Sequence, residues 1–112
     1  MEPTDLIGKI VVVEIDRPLG SRHPRHELVY EVNYGFVPGM IAPDGEFLDA
    51  YILGEAEPSS RFEGECIAVI HRLDDDDDKL VVAPPGLSYT DEQIRQATEF
   101  QERFFQSVIV RK

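Results

Sequence analysis

The chain has 112 residues, enough for one domain that buries roughly two-thirds of the surface its extended form would expose. Hydrophobic residues make up 42% and eight prolines and eight glycines punctuate the apolar runs, which excludes a disordered chain and favours a single turn-rich globular unit over residues 1–112. Twenty-two acidic against eleven basic residues leave a net charge of −11, which argues against a nucleic-acid partner but not against a small phosphate ligand, because divalent cations held by carboxylates reverse the local field.

The N-terminus, Met1-Glu2-Pro3-Thr4-Asp5, lacks the basic-then-apolar pattern of a signal peptide. No apolar stretch approaches the roughly 20 residues that span a bilayer, so the expectation is a cytoplasmic protein with no membrane partner. Residues 7–15 are dense in β-branched side chains and stop at Arg17-Pro18-Leu19-Gly20, the pattern of a strand ending in a turn. Ser21-Arg22-His23-Pro24-Arg25-His26 then concentrates positive and imidazole groups in an otherwise acidic chain.

Residues 28–37 read as a strand with Tyr30, Val32, Tyr34 and Phe36 on one face. Gly35 within it marks a bend or a close backbone approach. Pro38-Gly39 and Pro43-Asp44-Gly45 are turn signals, and residues 47–53 form the second arm of a hairpin. In that arm Asp49, Tyr51 and Leu53 alternate with Leu48, Ala50 and Ile52. Residues 62–73, which contain the lone Cys66, and residues 79–83 are two further strands joined by five aspartates. One cysteine excludes both a disulfide framework and a Cys/His zinc spacing.

Pro84-Pro85-Gly86 stops the sheet, and Thr90 followed by Gln93 has the capping-box spacing, with Asp91 and Glu92 in the first turn. From residue 94 to 105, Ile94, Ala97, Phe100, Phe104 and Phe105 fall within an arc of roughly 140°, with Arg95, Glu99, Glu102 and Arg103 opposite. Residues 107–110 complete the pattern as a short strand. Five or six strands and one late amphipathic helix predict a mainly β (α+β) protein: a small, mostly antiparallel barrel or curved sheet with the helix lying against it.

Three carboxylates in Asp44-Gly45-Glu46-Phe47-Leu48-Asp49 lie close along one tight turn. Carboxylates sharing a site repel unless one is protonated or a cation intervenes, and all-oxygen donors favour Mg²⁺ or Mn²⁺ over zinc. A solvated hairpin turn is the plainer reading of the same residues. The run from Asp74 to Asp78 is likewise either a solvated loop or part of a cation site. Its Asp-Asp-Asp-Asp-Lys string is no cleavage tag, because it joins two strands in mid-domain, and no EF-hand, because Pro85 stands at the twelfth position. Tyr30 and Tyr34 are compatible with cross-strand packing.

Tyr30-Glu31-Val32-Asn33-Tyr34-Gly35-Phe36-Val37-Pro38-Gly39, followed by Asp44-Gly45-Glu46-Phe47-Leu48-Asp49, resembles the central signature of the soluble (family I), metal-dependent inorganic pyrophosphatases. Ile67-Ala68-Val69-Ile70, the aspartates and Lys79-Leu80-Val81 resemble that family's next element. The resemblance covers residues 30–84 and implies a closed OB-like barrel of five or six strands, with one C-terminal helix packed on it. It implies Asp44, Asp49, Asp74 and Asp77 as metal ligands, with Asp78 as an alternative to Asp77. Glu46 would activate the attacking water, and Tyr34 and Lys79 would contact phosphate. Glu14, Arg22, His23, Arg25 and Tyr30 complete the expected substrate-binding set.

Compared with the family, Glu46 replaces an aspartate, the Arg/His segment stands where a hairpin carries an active-site arginine, and Phe104-Phe105 replaces a Tyr-Lys pair. The expectation is Mg²⁺-dependent hydrolysis of pyrophosphate to two phosphates, with Mn²⁺ as a substitute ion and homo-oligomers by analogy with the family. The alternatives are a metal- and phosphate-binding protein without turnover and a plain interaction module with acidic loops.

Overall fold

The computed structural model describes residues 2–75 and 77–112. A 3₁₀ turn (Pro3–Leu6) leads into β1 (Ile10–Arg17), β2 (Asn33–Ile41), β3 (Phe47–Ile52), β4 (Arg61–Arg72), β5 (Asp78–Ala83), α1 (Asp91–Glu102) and β6 (Ser107–Val110). The strands run in the order β1-β2-β3-β5-β4-β6, and a further β1–β4 pairing closes the first five into a barrel with β6 appended. All pairings are antiparallel except β3 with β5, which is parallel.

Two apolar layers follow from the period of two. Val13, Leu48, Ala50, Ile52, Leu80 and Val82 fill the barrel interior. Tyr34, Tyr51, Leu53, Val81 and Ala83 point the other way, onto Ile94 and Phe100 of α1. In β4 the register shifts between Cys66 and Ala68. Such a bulge re-phases the strand, so Cys66 and Val69 belong to the interior while Ala68 and Ile70 face the helix.

The Asn-Tyr-Gly stretch is divided among three jobs. Asn33 is fully buried. Its Oδ1 accepts from the Leu19 and Ser59 amides at 2.8 and 3.4 Å, and its Nδ2 donates to Glu55 Oε1 and the Glu57 carbonyl, each at 2.9 Å. Tyr34 reaches the cleft described below. Gly35 sits so close to β1 that a Cβ there would lie 1.9 Å from the Glu14 carbonyl oxygen. Only glycine permits that crossing.

Three expectations need correction. Pro38-Gly39 lies inside β2 rather than at a turn, in the interval where the β2–β3 register shifts. There both residues are exposed, so the amide that proline lacks is not needed by the ladder. The helix ends at Glu102, so Phe104 and Phe105 lie beyond it and outside its packed face. Glu102, expected toward solvent, is buried. The Thr90/Gln93 capping box forms as read, with Gln93 N donating to Thr90 Oγ1 at 3.1 Å and Thr90 N to Gln93 Oε1 at 2.8 Å.

Candidate functional site

An open cleft of about 610 Å³ lies where the outer face of the sheet meets the end of α1. The end of β1 supplies Asp16 and Arg17, the following loop His23 and His26, and β2 and β3 supply Tyr34 and Asp49. Arg72 and Lys79 come from the facing ends of β4 and β5, and Gln101, Phe104 and Phe105 from the end of α1 and the turn after it. The strands therefore deliver their polar residues to one rim.

The polar groups form a continuous chain. Arg17 Nη1 donates to Tyr30 Oη at 3.1 Å, Tyr30 donates to Gln101 Oε1 at 3.0 Å, and Gln101 Nε2 donates to Tyr51 Oη at 2.8 Å. Tyr51 donates to Glu102 Oε2 at 2.5 Å, and Glu102 accepts from Arg72 Nε at 3.1 Å and Nη2 at 2.7 Å. Arg72 Nη1 stands 3.8 Å from Asp77 Oδ2, and its guanidinium covers the Phe105 ring at 3.6 Å. Lys79 Nζ joins Asp77 Oδ2 at 2.8 Å to Asp49 Oδ2 at 2.7 Å, and the Tyr34 hydroxyl donates to the same Asp49 oxygen at 2.9 Å. Among the described residues no buried side-chain nitrogen or oxygen is without a hydrogen-bond partner.

Burial opposes the Lys79 charge, but Asp49 and Asp77 outweigh it and raise the ammonium pKa above its usual 10.5. Burial likewise opposes the charge of Arg72, and Glu102 more than offsets it, raising its pKa too. Both side chains are thus fixed cations. Burial and the Asp49 carboxylate push the Tyr34 hydroxyl well above 10, which keeps it a proton donor. The cleft has acidic walls as well, in Asp16 and Asp49, so a bare phosphate anion meets both signs of charge.

The residues singled out from sequence divide into two groups. Tyr34, Asp49, Lys79, Tyr30 and His23 line the cleft, and Asp77 touches it through Lys79. The others stand apart. Asp44 and Glu46 are exposed on the β2–β3 turn, where Asp44 Oδ1 accepts from the Glu46 amide at 3.0 Å. Asp74 is exposed and accepts from the Gln106 amide at 2.8 Å, directed at the start of β6. Asp78 pairs with His71 at 2.6 Å, Asp76 lies outside the described residues, and Glu14, Arg22 and Arg25 are exposed and do not line the cleft.

Among the described residues, no three His, Cys, Asp or Glu side chains are grouped to hold a metal ion. The carboxylates that do converge, Asp49 and Asp77, are bridged by the Lys79 ammonium. This donor set does not fit a resident divalent ion.

Sequence reasoning missed Asp16, Arg17, Arg72, Gln101 and Glu102. Arg72 was legible in principle, because it continues the Ala68–Ile70 alternation to the end of β4. A smaller cavity of about 340 Å³ between α1 and β6 contains none of the expected residues. No described helix is long and apolar enough to cross a membrane.

A family model described as inorganic pyrophosphatase matches residues 8–109. The inorganic pyrophosphatase of Saccharolobus solfataricus is 32% identical over 77 residues, covering 66% of this chain and 42% of that protein. The corresponding protein of Aeropyrum pernix is also 32% identical over 77 residues, with 65% and 41% covered. The chain thus spans about two-fifths of the length of these relatives. Among solved structures, the inorganic pyrophosphatase from Ehrlichia chaffeensis superimposes with a TM-score of 0.69 at 16% identity, over 96% of this chain and 88% of the other. That likeness bears on the fold, a closed five-strand barrel with an added strand and one helix.

Proposed function

Because the chain belongs to the inorganic pyrophosphatase family, we propose that it hydrolyses inorganic pyrophosphate to two phosphates in the cleft between the barrel and the end of α1. The observation that carries this reading is the Tyr34–Asp49–Lys79–Asp77 network, which joins four of the expected residues and places three of them, Tyr34, Asp49 and Lys79, on the wall of an open cleft. Lys79 and Arg72 supply fixed positive charge near the place where negative charge grows as the anhydride bond breaks. Tyr34, held protonated and donating to Asp49 Oδ2, would exchange that bond for one to a phosphoryl oxygen when substrate enters, with Tyr30 and His23 beside it.

Mg²⁺, with Mn²⁺ as a substitute, is proposed as the required cation. Its proposed source is the magnesium complex of pyrophosphate, since Lys79 already occupies the space between Asp49 and Asp77. A cation carried with the substrate also relieves its repulsion by Asp16 and Asp49. Asp44 and Asp74 as ligands of an ion that arrives with the substrate, Glu46 as the group that activates water, and Glu14, Arg22 and Arg25 as substrate contacts are proposed on the strength of position in the sequence alone, and homo-oligomers by analogy alone.

A second reading is a phosphate-binding protein without turnover. The Lys79 bridge favours it, because it fills the position that a catalytic ion would need. Calorimetry with pyrophosphate and Mg²⁺, run beside a phosphate-release assay on the same protein, separates the two. Release of many phosphates per chain supports hydrolysis, saturable binding without release supports the second reading, and neither signal rejects both.

A further inference from the structure

We propose that the cleft takes a diphosphate ester carrying a planar ring, of the nucleoside diphosphate class, with Phe104 as the platform on which the ring stacks. The proposal rests on the reading of this cleft as a phosphate site and names a larger ligand for it.

Size is the first observation. A cleft of about 610 Å³ falls in the range of roughly 300–1,000 Å³ that holds ligands of organic-molecule size, and inorganic pyrophosphate fills only a small part of it. The walls are also unequal. Lys79, Arg72 and Asp49 concentrate the charge, whereas His23, His26, Leu28 and Phe104 line the same cleft with ring and apolar surface. The His23 and His26 rings are 4.6 Å apart, and His23 stacks toward Tyr30 at 6.3 Å with planes 13° apart. Burial, with the Arg17 charge, lowers the His23 pKa and so favours the uncharged ring.

Phe104 is the decisive residue. At 61% exposure it is the most exposed large apolar side chain among the described residues. A single exposed apolar residue is ordinary on a protein surface. This one lines the cleft, and its neighbour shows the contrast: the Phe105 ring is covered by the Arg72 guanidinium at 3.6 Å, whereas Arg103 stands over the Phe104 ring at the longer distance of 5.0 Å and the side chain keeps its exposure. The chain leaves the helix after Glu102, which takes Phe104 off the packed face and onto the cleft wall. An exposed phenyl ring beside fixed cations suits a ring joined to a diphosphate, since every base offers a π-face for stacking.

The test is calorimetric titration of the full chain with ADP and with inorganic pyrophosphate, each in Mg²⁺, for the unaltered protein, Phe104→Ala and Phe104→Tyr. ADP is expected to bind saturably and to be displaced by pyrophosphate. Phe104→Ala is expected to lower the ADP-to-pyrophosphate affinity ratio about tenfold, and Phe104→Tyr to restore it. Pyrophosphate binding without ADP binding overturns this inference and leaves the proposed function standing, as does an affinity ratio that Phe104→Ala leaves unchanged. If neither ligand binds, both fall.

Discussion

Arg72 at the end of β4 and Glu102 at the end of α1 meet as a bidentate pair, Nε to Oε1 at 3.1 Å and Nη2 to Oε2 at 2.7 Å, with both side chains only 7% exposed. The pair fastens the helix end, and so the far wall of the cleft, to the barrel. Removing one partner strands the other charge in a buried setting. Glu102→Ala is therefore expected to cost about 3–5 kcal/mol in urea denaturation. A loss below about 1 kcal/mol would mean that the pair is no tether.

Asn33 binds segments on either side of the barrel mouth through four hydrogen bonds. Asn33→Ala would leave the Leu19 amide and the Glu57 carbonyl without their partner. The expected loss is about 2–3 kcal/mol, read from the denaturation midpoint with the slope unchanged. Destabilisation no larger than that of an ordinary surface change would remove the hub role.

Gly35→Ala is expected to abolish the native fold, because backbone faces backbone at that crossing and no rotamer can relieve the contact. Loss of the cooperative thermal transition in circular dichroism is the readout. A folded variant of near-normal stability would show that β1 and β2 can separate there.

The Cys66 thiol is fully buried, and burial pushes its pKa from 9.0 up to about 11. Below 9.0 both folded and unfolded states keep the proton, and the stabilisation is complete. As pH rises toward about 11 the unfolded thiol ionises first, so stability falls by about 3 kcal/mol from this group. Lys79, Tyr34 and Tyr51, whose pKa values are also raised, add to the alkaline loss. Cys66→Ala isolates the thiol: the stability gap between the two proteins is expected to narrow as pH climbs from 9.0. A constant gap would contradict it.

Much of the barrel was legible because alternation in residues 47–53 already separates Asp49, Tyr51 and Leu53 from Leu48, Ala50 and Ile52, and the two sets do pack on opposite faces. The capping box at Thr90 was legible because it is local. The helix end was not, since Phe104 and Phe105 continue the apolar spacing after the backbone has left the helix. Glu102 was misread because its partner Arg72 lies 30 residues away in sequence. The parallel β3–β5 pairing is equally non-local. Of the candidate site, the signature stretch led to Tyr34, Asp49 and Lys79, which meet. Sequence spacing alone could not reveal that Asp44 and Glu46 lie on an exposed turn or that Asp74 faces β6.

The central claim is that the Lys79 ammonium, clamped between Asp49 and Asp77, marks the place where a diphosphate is cleaved. Phosphate release from pyrophosphate in Mg²⁺, compared between the unaltered chain and a folded Lys79→Met variant, tests it most directly. The expected result is a loss in turnover of about 100-fold or more. Equal turnover by the two proteins would contradict it and place the chemistry elsewhere.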